Sequence, residues 1–141
     1  MDLTVREMTA SDLGGRFFEA LAALAEVGLT AREAEEVFHE RQRRGVRTYV
    51  ALWRGQVAGT ASLLLERKYI HRGGLVGHIE DVAVNPSCQV RGVGTALVGH
   101  ATEEARKLGC YRVVLDCSEG LVPFYARLGY RPHNLGLRID F

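Results

Sequence analysis

The stretch from Leu75 to Gly109 constrains the fold more than any other part of the chain. An apolar run, "LVGHIEDVAVN", stops at Pro86. A connection, "PSCQVRGVG", carries Gly92 and Gly94. A helical pattern follows, with Val93, Leu97, Ala101, Ala105 and Leu108 on one stripe, Arg106 and Lys107 near its end, and Gly109 as its stop. "YRVVLD" then reads as another strand. Strand, glycine-bearing turn, helix and strand in this order point to an α/β domain. Glycine where a helix begins has two uses. It makes a loose turn, or it bares the backbone to a ligand. A helix start presents unpaired N–H groups and partial positive charge, which suits phosphate, and Arg91 adds charge. Two phosphate loops are excluded. The triphosphate loop needs Gly-Lys-Ser/Thr, and Gly94 is followed by Thr95-Ala96. The dinucleotide fingerprint needs a third glycine where Leu97 stands, directly after a strand, and "PSCQVR" intervenes.

The chain has 141 residues, 47% hydrophobic and 25% charged, which is ordinary for one globular domain. A formal net charge of +1 gives no bulk attraction to nucleic acid or an anionic membrane. No apolar run is long enough to span a bilayer, and "MDLTVREMTA" carries charge where a signal peptide needs an apolar region. Cys110 and Cys117 flank the strand "YRVVLD", roughly 23 Å apart by strand length and beyond disulfide reach. Without Cys-x-x-Cys, and with scattered histidines, no metal site is expected. These features predict a soluble, cytoplasmic protein folded as one domain over residues 1–141.

Periodicity supplies the remaining elements. "LTVREM" is a strand. Phe17, Leu21, Leu24 and Val27 mark a helix ended by Gly28, and Thr30 caps a charged helix stopped by Gly45. "VRTYVALW" and "VAGTASLLLERKY" form a hairpin, and "HRGG" is a loop. "EGLVPFYARLG" is a helix and "LGLRIDF" a last strand. The expected order is β-α-α-β-β-β-α-β-α-β, a mixed central β-sheet flanked by helices.

"QVRGVG" (Gln89–Gly94), set between strand and helix, together with "PFYARLGYRP", resembles the GCN5-related N-acetyltransferases (GNAT). Within them, "LLLERKYIHRGGLVGHIEDVAVN" and "LGCYRVVLDCSEGLVPFYARLGY" are similar to the glucosamine 6-phosphate N-acetyltransferases. The resemblance implies that acetyl-CoA is the co-substrate. Its pyrophosphate would lie along Gln89, Val90, Arg91, Gly92, Val93, Gly94 and Thr95, and its thioester beside the backbone of Val82, Ala83 and Val84. Such chemistry needs a group to take the amine's proton, a donor for the carbonyl oxygen and a proton for the leaving thiolate. Holding both substrates together removes any need for a cysteine nucleophile.

Glu80 and Asp81 stand inside an apolar strand, where carboxylates need a reason. One can face solvent while the other pairs with a base; the resemblance makes both sugar ligands and Glu80 part of the catalytic set. Asp116 ends a strand at the rim, where a loop-capping role is the plain alternative. Its family counterpart touches the reacting amine. Tyr125 matches the tyrosine that would protonate the thiolate, with Phe124 as the core aromatic. Lys68, Tyr69, Ile70 and His71, followed by Arg72, read as a solvated hairpin edge or, by resemblance, as the wall of a sugar-phosphate pocket contributed by a partner subunit. Arg138 reads as a sheet-face arginine or a phosphate ligand. Cys110 and Tyr111 match a segment near the acceptor. The chain departs from the family at Leu121, where asparagine is common, and at Ala25, where threonine is. The alternating "LGLRIDF" is an edge that invites pairing, and the resemblance implies a homodimer with shared sites. Two other readings compete: acetylation of a different amine, and a silent acetyl-CoA-binding module. The basic loop and Arg138 favour an anionic acceptor, an amino-sugar phosphate. Asp116, Tyr125 and Glu80 together argue against silence.

Overall fold

A computed structural model describes residues 2–88 and 90–141. The chain runs β1 (Leu3–Glu7), a 3-10 turn (Ala10–Asp12), α1 (Gly15–Ala22), α2 (Ala31–Arg43), β2 (Arg47–Trp53), β3 (Gln56–Arg67), the one-turn α3 (Ile70–Gly73), β4 (Leu75–Val84), α4 (Val93–Lys107), β5 (Cys110–Val114), a second 3-10 turn (Glu119–Leu121) and α5 (Val122–Ala126). The five strands lie in sequence order in one sheet. β1 to β4 are antiparallel neighbours, and β4–β5 is parallel. That parallel pair needs a crossover, which α4 supplies.

Alternation along β2 feeds two cores. Tyr49 and Ala51 pack with α4, while Val50 packs with Met8, Phe17 and Val57 on the face that carries α1. The expected stripe of α4 is buried at Val93, Leu97, Ala101 and Ala105, and Val98 joins it. Helix α2 buries Ala34. It starts where expected, with Thr30 Oγ1 accepting from Glu33 N at 3.2 Å and Glu33 Oε1 accepting from Thr30 N at 2.9 Å. The β2–β3 hairpin turns on Arg54 and Gly55, both at positive φ, the two-residue turn that follows strand twist.

Three expectations are corrected. α1 ends at Ala22 rather than running to Val27. Ala23 N and Leu24 N donate to Ala20 O and Leu21 O, the tightened i→i+3 bonds that finish a helix. The "HRGG" loop is the helical turn α3, in which His71 and Arg72 take left-handed φ of 52° and 59°. "LGLRIDF" forms no strand in the single chain, where β5 pairs with β4 and, among the described residues, no segment pairs with residues 131–141. Alternation marks a segment fit for pairing, but a ladder also needs a neighbour.

Candidate active site

β4 and β5 pair from Leu75↔Cys110 to His78↔Val114 and no further, so the upper half of β4 leaves its parallel neighbour. On its other edge β4 carries a bulge. Thr60 faces Ala83 and Ser62 faces Glu80, so β4 holds one residue more than β3 over the interval. Asp81 takes up the excess with φ +50°, a conformation uncommon for a non-glycine residue. Bulge and divergence together open a cavity of about 310 Å³ between the strands. Glu80, Asp81 and Val82 line it from β4, Asp116 and Cys117 from beyond β5, Tyr125 from α5, Leu24 from the turn after α1 and Leu121 from the second 3-10 turn. Asp81 also borders a second, apolar cavity of about 140 Å³ beneath α1 and α2.

Three carboxylates therefore converge on one space. Burial pushes the Glu80 carboxyl above its ordinary range, and the Asp116 and Asp81 carboxylates push the same way, against a smaller opposite pull from His78. Burial also raises the Tyr125 phenol, with Cys117 and Tyr130 adding to it. Such a phenol keeps its proton at neutral pH and can donate. Tyr125 is the more buried of the aromatic pair, and Phe124 is partly buried, so the sequence assignment of Phe124 as the core ring understates Tyr125. Phe124 instead fills the space over Gly94, where an added Cβ would stand 3.3 Å from its ring.

The two glycines thus do different work. Gly94 seats Phe124. Gly92, the N-cap of α4, has φ +90° and nothing within 4 Å of where a Cβ would point. The first N–H groups of α4, at Val93, Gly94 and Thr95, have no acceptor within the helix. A diphosphate suits this bare, exposed start, with Arg91 exposed beside it. Val90 is half-buried, and Val93 packs inward. Gln89 lies outside the described residues. Ala83 is buried opposite Thr60, and Val82 and Val84 are half-buried.

Other expected ligands lie elsewhere in the single chain. Lys68, Tyr69, Ile70 and His71 sit at the α3 turn, at the opposite end of β4, with Cys110 and Tyr111 at the start of β5. His71 stacks on Tyr111 with ring centroids 4.4 Å apart, Lys68 Nζ pairs with Glu66 at 3.0 Å, and burial raises the Cys110 thiol. By strand length this cluster is roughly 20 Å from Asp116. Arg138 lies on the exposed C-terminal segment, 3.1 Å from Asp140. That segment does pass the pocket at Gly136, where a Cβ would stand 3.7 Å from Asp116 Oδ1. The bulge at Asp81 leaves a trace in the sequence, since the adjacent Glu80 and Asp81 interrupt the apolar pattern of β4. The contribution of Leu24 has none, because Leu24 reads as part of a helix face.

Cys88, Cys110 and Cys117 are free thiols. Among the described residues no helix is long and apolar enough to cross a membrane, and no group of three His, Cys, Asp or Glu side chains is placed to hold a metal.

Comparison with known proteins identifies the family and the fold. The chain is 40% identical to the glucosamine 6-phosphate N-acetyltransferase of Trypanosoma brucei brucei, covering 99% of this chain and 97% of that one. It is 34% identical to the glucosamine 6-phosphate N-acetyltransferase of Candida albicans, over 91% and 89% of the two chains. The crystal structure of the Arabidopsis thaliana glucosamine 6-phosphate N-acetyltransferase superposes with a TM-score of 0.92 at 29% identity, covering 99% of this chain and 98% of that one. Residues 16–130 match the acetyltransferase (GNAT) family, and with this coverage in sequence and in fold the chain belongs to that family.

Proposed function

We propose that the chain transfers the acetyl group of acetyl-CoA to the amine of glucosamine 6-phosphate. The observation that carries this is the cavity between the parted strands, which brings Glu80, Asp81, Asp116 and a buried tyrosine together, while Phe124, the neighbour of that tyrosine, packs on Gly94 in the first turn of α4. The names of the three relatives above support the acceptor. The α4 start holds the pyrophosphate, and the co-substrate supplies an activated thioester carbonyl. The Val82–Val84 backbone borders that carbonyl, and an N–H of the bulged strand polarises its oxygen. Glu80 and Asp116 attract the ammonium form of the sugar amine. Asp116, directly or through water, takes its proton as the nitrogen becomes nucleophilic. The Tyr125 hydroxyl donates to the departing sulfur. No covalent enzyme intermediate is needed.

Lys68–His71, with Arg138, bind the phosphate in this reading. The α3 turn lies too far from Asp116 along one chain, but two copies related by a two-fold axis can bring the α3 turn of one to the pocket of the other, beside which the C-terminal segment passes at Gly136. Exposure of Tyr69, Leu137, Ile139 and Phe141 supports such a homodimer. Free thiols suit a reducing compartment such as the cytoplasm.

The test is thiol release from acetyl-CoA with glucosamine 6-phosphate, glucosamine, a polyamine and an aminoglycoside as acceptors. The phosphorylated sugar should give the highest kcat/KM. Activity without that preference removes the acceptor assignment and leaves an acetyltransferase. Acetyl-CoA binding with no turnover on any amine leaves a silent binding module.

A further inference from the structure

The connection Asn85–Gly92 must present its backbone at a fixed place, because ordering a loop on binding lowers affinity. Its root is held from an unexpected side. Asn85 is 2% exposed, yet its side chain is fully engaged. Oδ1 accepts from Ser87 N at 3.0 Å and from Ser87 Oγ at 2.8 Å. Nδ2 donates to Arg16 O at 3.3 Å and to Glu19 Oε2 at 3.1 Å, both on α1. The Asn85 backbone donates to Ala58 O at 2.8 Å and accepts from Cys88 N at 2.9 Å. Arg16 completes the joint. Its Nη1 donates to Ser87 Oγ at 2.6 Å, and its Nε and Nη2 donate to Gln56 Oε1 at 3.0 and 2.7 Å. A helix on one face of the sheet is thus bonded to the loop that begins the helix on the other face.

We propose that Asn85 and Arg16 are positioning residues for the cofactor loop. They fix the turn at Ser87 so that the Val90–Thr95 backbone stands ready for a diphosphate, without touching that group themselves. This rests on the reading that the pyrophosphate of acetyl-CoA lies at the α4 start. A guanidinium is needed at position 16, because it reaches Ser87 and Gln56 at once and an ammonium does not. Asn85 satisfies two donors and two acceptors in a buried place, so shortening it leaves partners unpaired.

Two thioesters separate this from a general structural role: acetyl-CoA and S-acetyl-N-acetylcysteamine, which lacks the pyrophosphate. Arg16 is on the surface, so Arg16→Met leaves the cores intact. It is expected to raise the KM for acetyl-CoA about tenfold, as befits loss of one charge-assisted contact. The acceptor KM, and kcat/KM for the truncated thioester, stay at wild-type values. Arg16→Lys recovers part of the loss. Asn85→Ala moves acetyl-CoA the same way and further, with its fold checked by thermal melting. Equal losses on both thioesters, or an unchanged acetyl-CoA KM in Arg16→Met, overturn the proposal. If the wild type uses both thioesters equally well, the loop reading itself fails and this proposal falls with it. If the wild type prefers acetyl-CoA and both variants keep that preference, the positioning role alone fails.

Discussion

The β4–β5 pair ends in two different ways. At its C-terminal end, Ile79 and Tyr125 are buried and three carboxylates face one cavity. At its N-terminal end, the α3 turn holds Tyr69 and Ile70 out in solvent, Tyr69 fully so. The C-terminal segment behaves like the second region, with Leu137 94% and Phe141 114% exposed. The first region gathers its carboxylates within a single chain. The second displays apolar groups in water, while Lys68 and Arg138 pair with the nearby Glu66 and Asp140. Apolar area left in water forgoes about 25 cal/mol per Å², so such a display has a use when something covers it. In the proposed reading, one copy of the fold builds the chemistry and two copies build the grip on the acceptor's anionic end.

Asp116→Asn should break the first region and ignore the second. Removing a general base lowers turnover about 10²- to 10⁴-fold. The loss should be the same for glucosamine 6-phosphate and for glucosamine, with the acetyl-CoA KM little changed. Steady-state kinetics on both acceptors check it. A variant that keeps more than about a tenth of wild-type turnover would mean that Asp116 only caps its loop.

The reverse experiment breaks the second region. Leu137 and Ile139 are exposed in the single chain, so Leu137→Asp with Ile139→Asp leaves its fold untouched. Sedimentation should show a monomer. Acetyl-CoA binding, read by titration, should persist, while kcat/KM for glucosamine 6-phosphate falls about a hundredfold, the order expected when a group of charge-assisted contacts is lost. An active wild-type monomer at assay concentration refutes the shared site.

Arg138→Ala narrows this to one side chain. Within the chain Arg138 meets Asp140, and both side chains are more than 70% exposed. A pair so open to water contributes little to stability, so a large kinetic effect would come from substrate. Loss of one phosphate contact is expected to cost roughly 1.5–3 kcal/mol, or one to two decades in kcat/KM. The loss should appear on glucosamine 6-phosphate and not on glucosamine. Equal losses on both would make Arg138 structural.

The same contrast governs what the sequence discloses. Strand β4, the glycine turn and the α4 stripe are local patterns, and Val93, Leu97, Ala101 and Ala105 are buried as their spacing requires. Thr30 and Glu33 form their capping box for the same reason. The bulge is only half legible: the adjacent acids Glu80 and Asp81 interrupt the alternation of β4, but which of them takes the positive φ depends on the pairing with β3. Asn85 escapes because its partners Arg16 and Glu19 lie far off in sequence. "LGLRIDF" misleads in the other direction. Its alternation is real, but the chain that carries it supplies no neighbouring strand. Gly92 and Gly94 look alike as letters, and only their surroundings separate an open cap from a seat for Phe124.

The smallest expected effect tests whether the first region stores electrostatic strain. Burial, Asp116 and Asp81 all raise the Glu80 carboxyl in the fold, in that order of size. A carboxyl whose pKa is raised on folding binds its proton more tightly in the native state. Its stability contribution is therefore greatest at low pH and is lost as pH rises through the unfolded and then the folded pKa. At neutral pH an ionised Glu80 works against the fold, an arrangement that a substrate ammonium would relieve. Glu80→Gln should accordingly raise the melting temperature at pH 7 and leave it near wild type at pH 4, while acceptor kinetics deteriorate. In an Asp116→Asn background the gain at pH 7 should shrink, since one of the repelling charges is gone. Melting curves of the four proteins at the two pH values decide it. If Glu80→Gln lowers the melting temperature at pH 7, the carboxylate is already compensated, and the three acids do not form a strained cluster awaiting a cation.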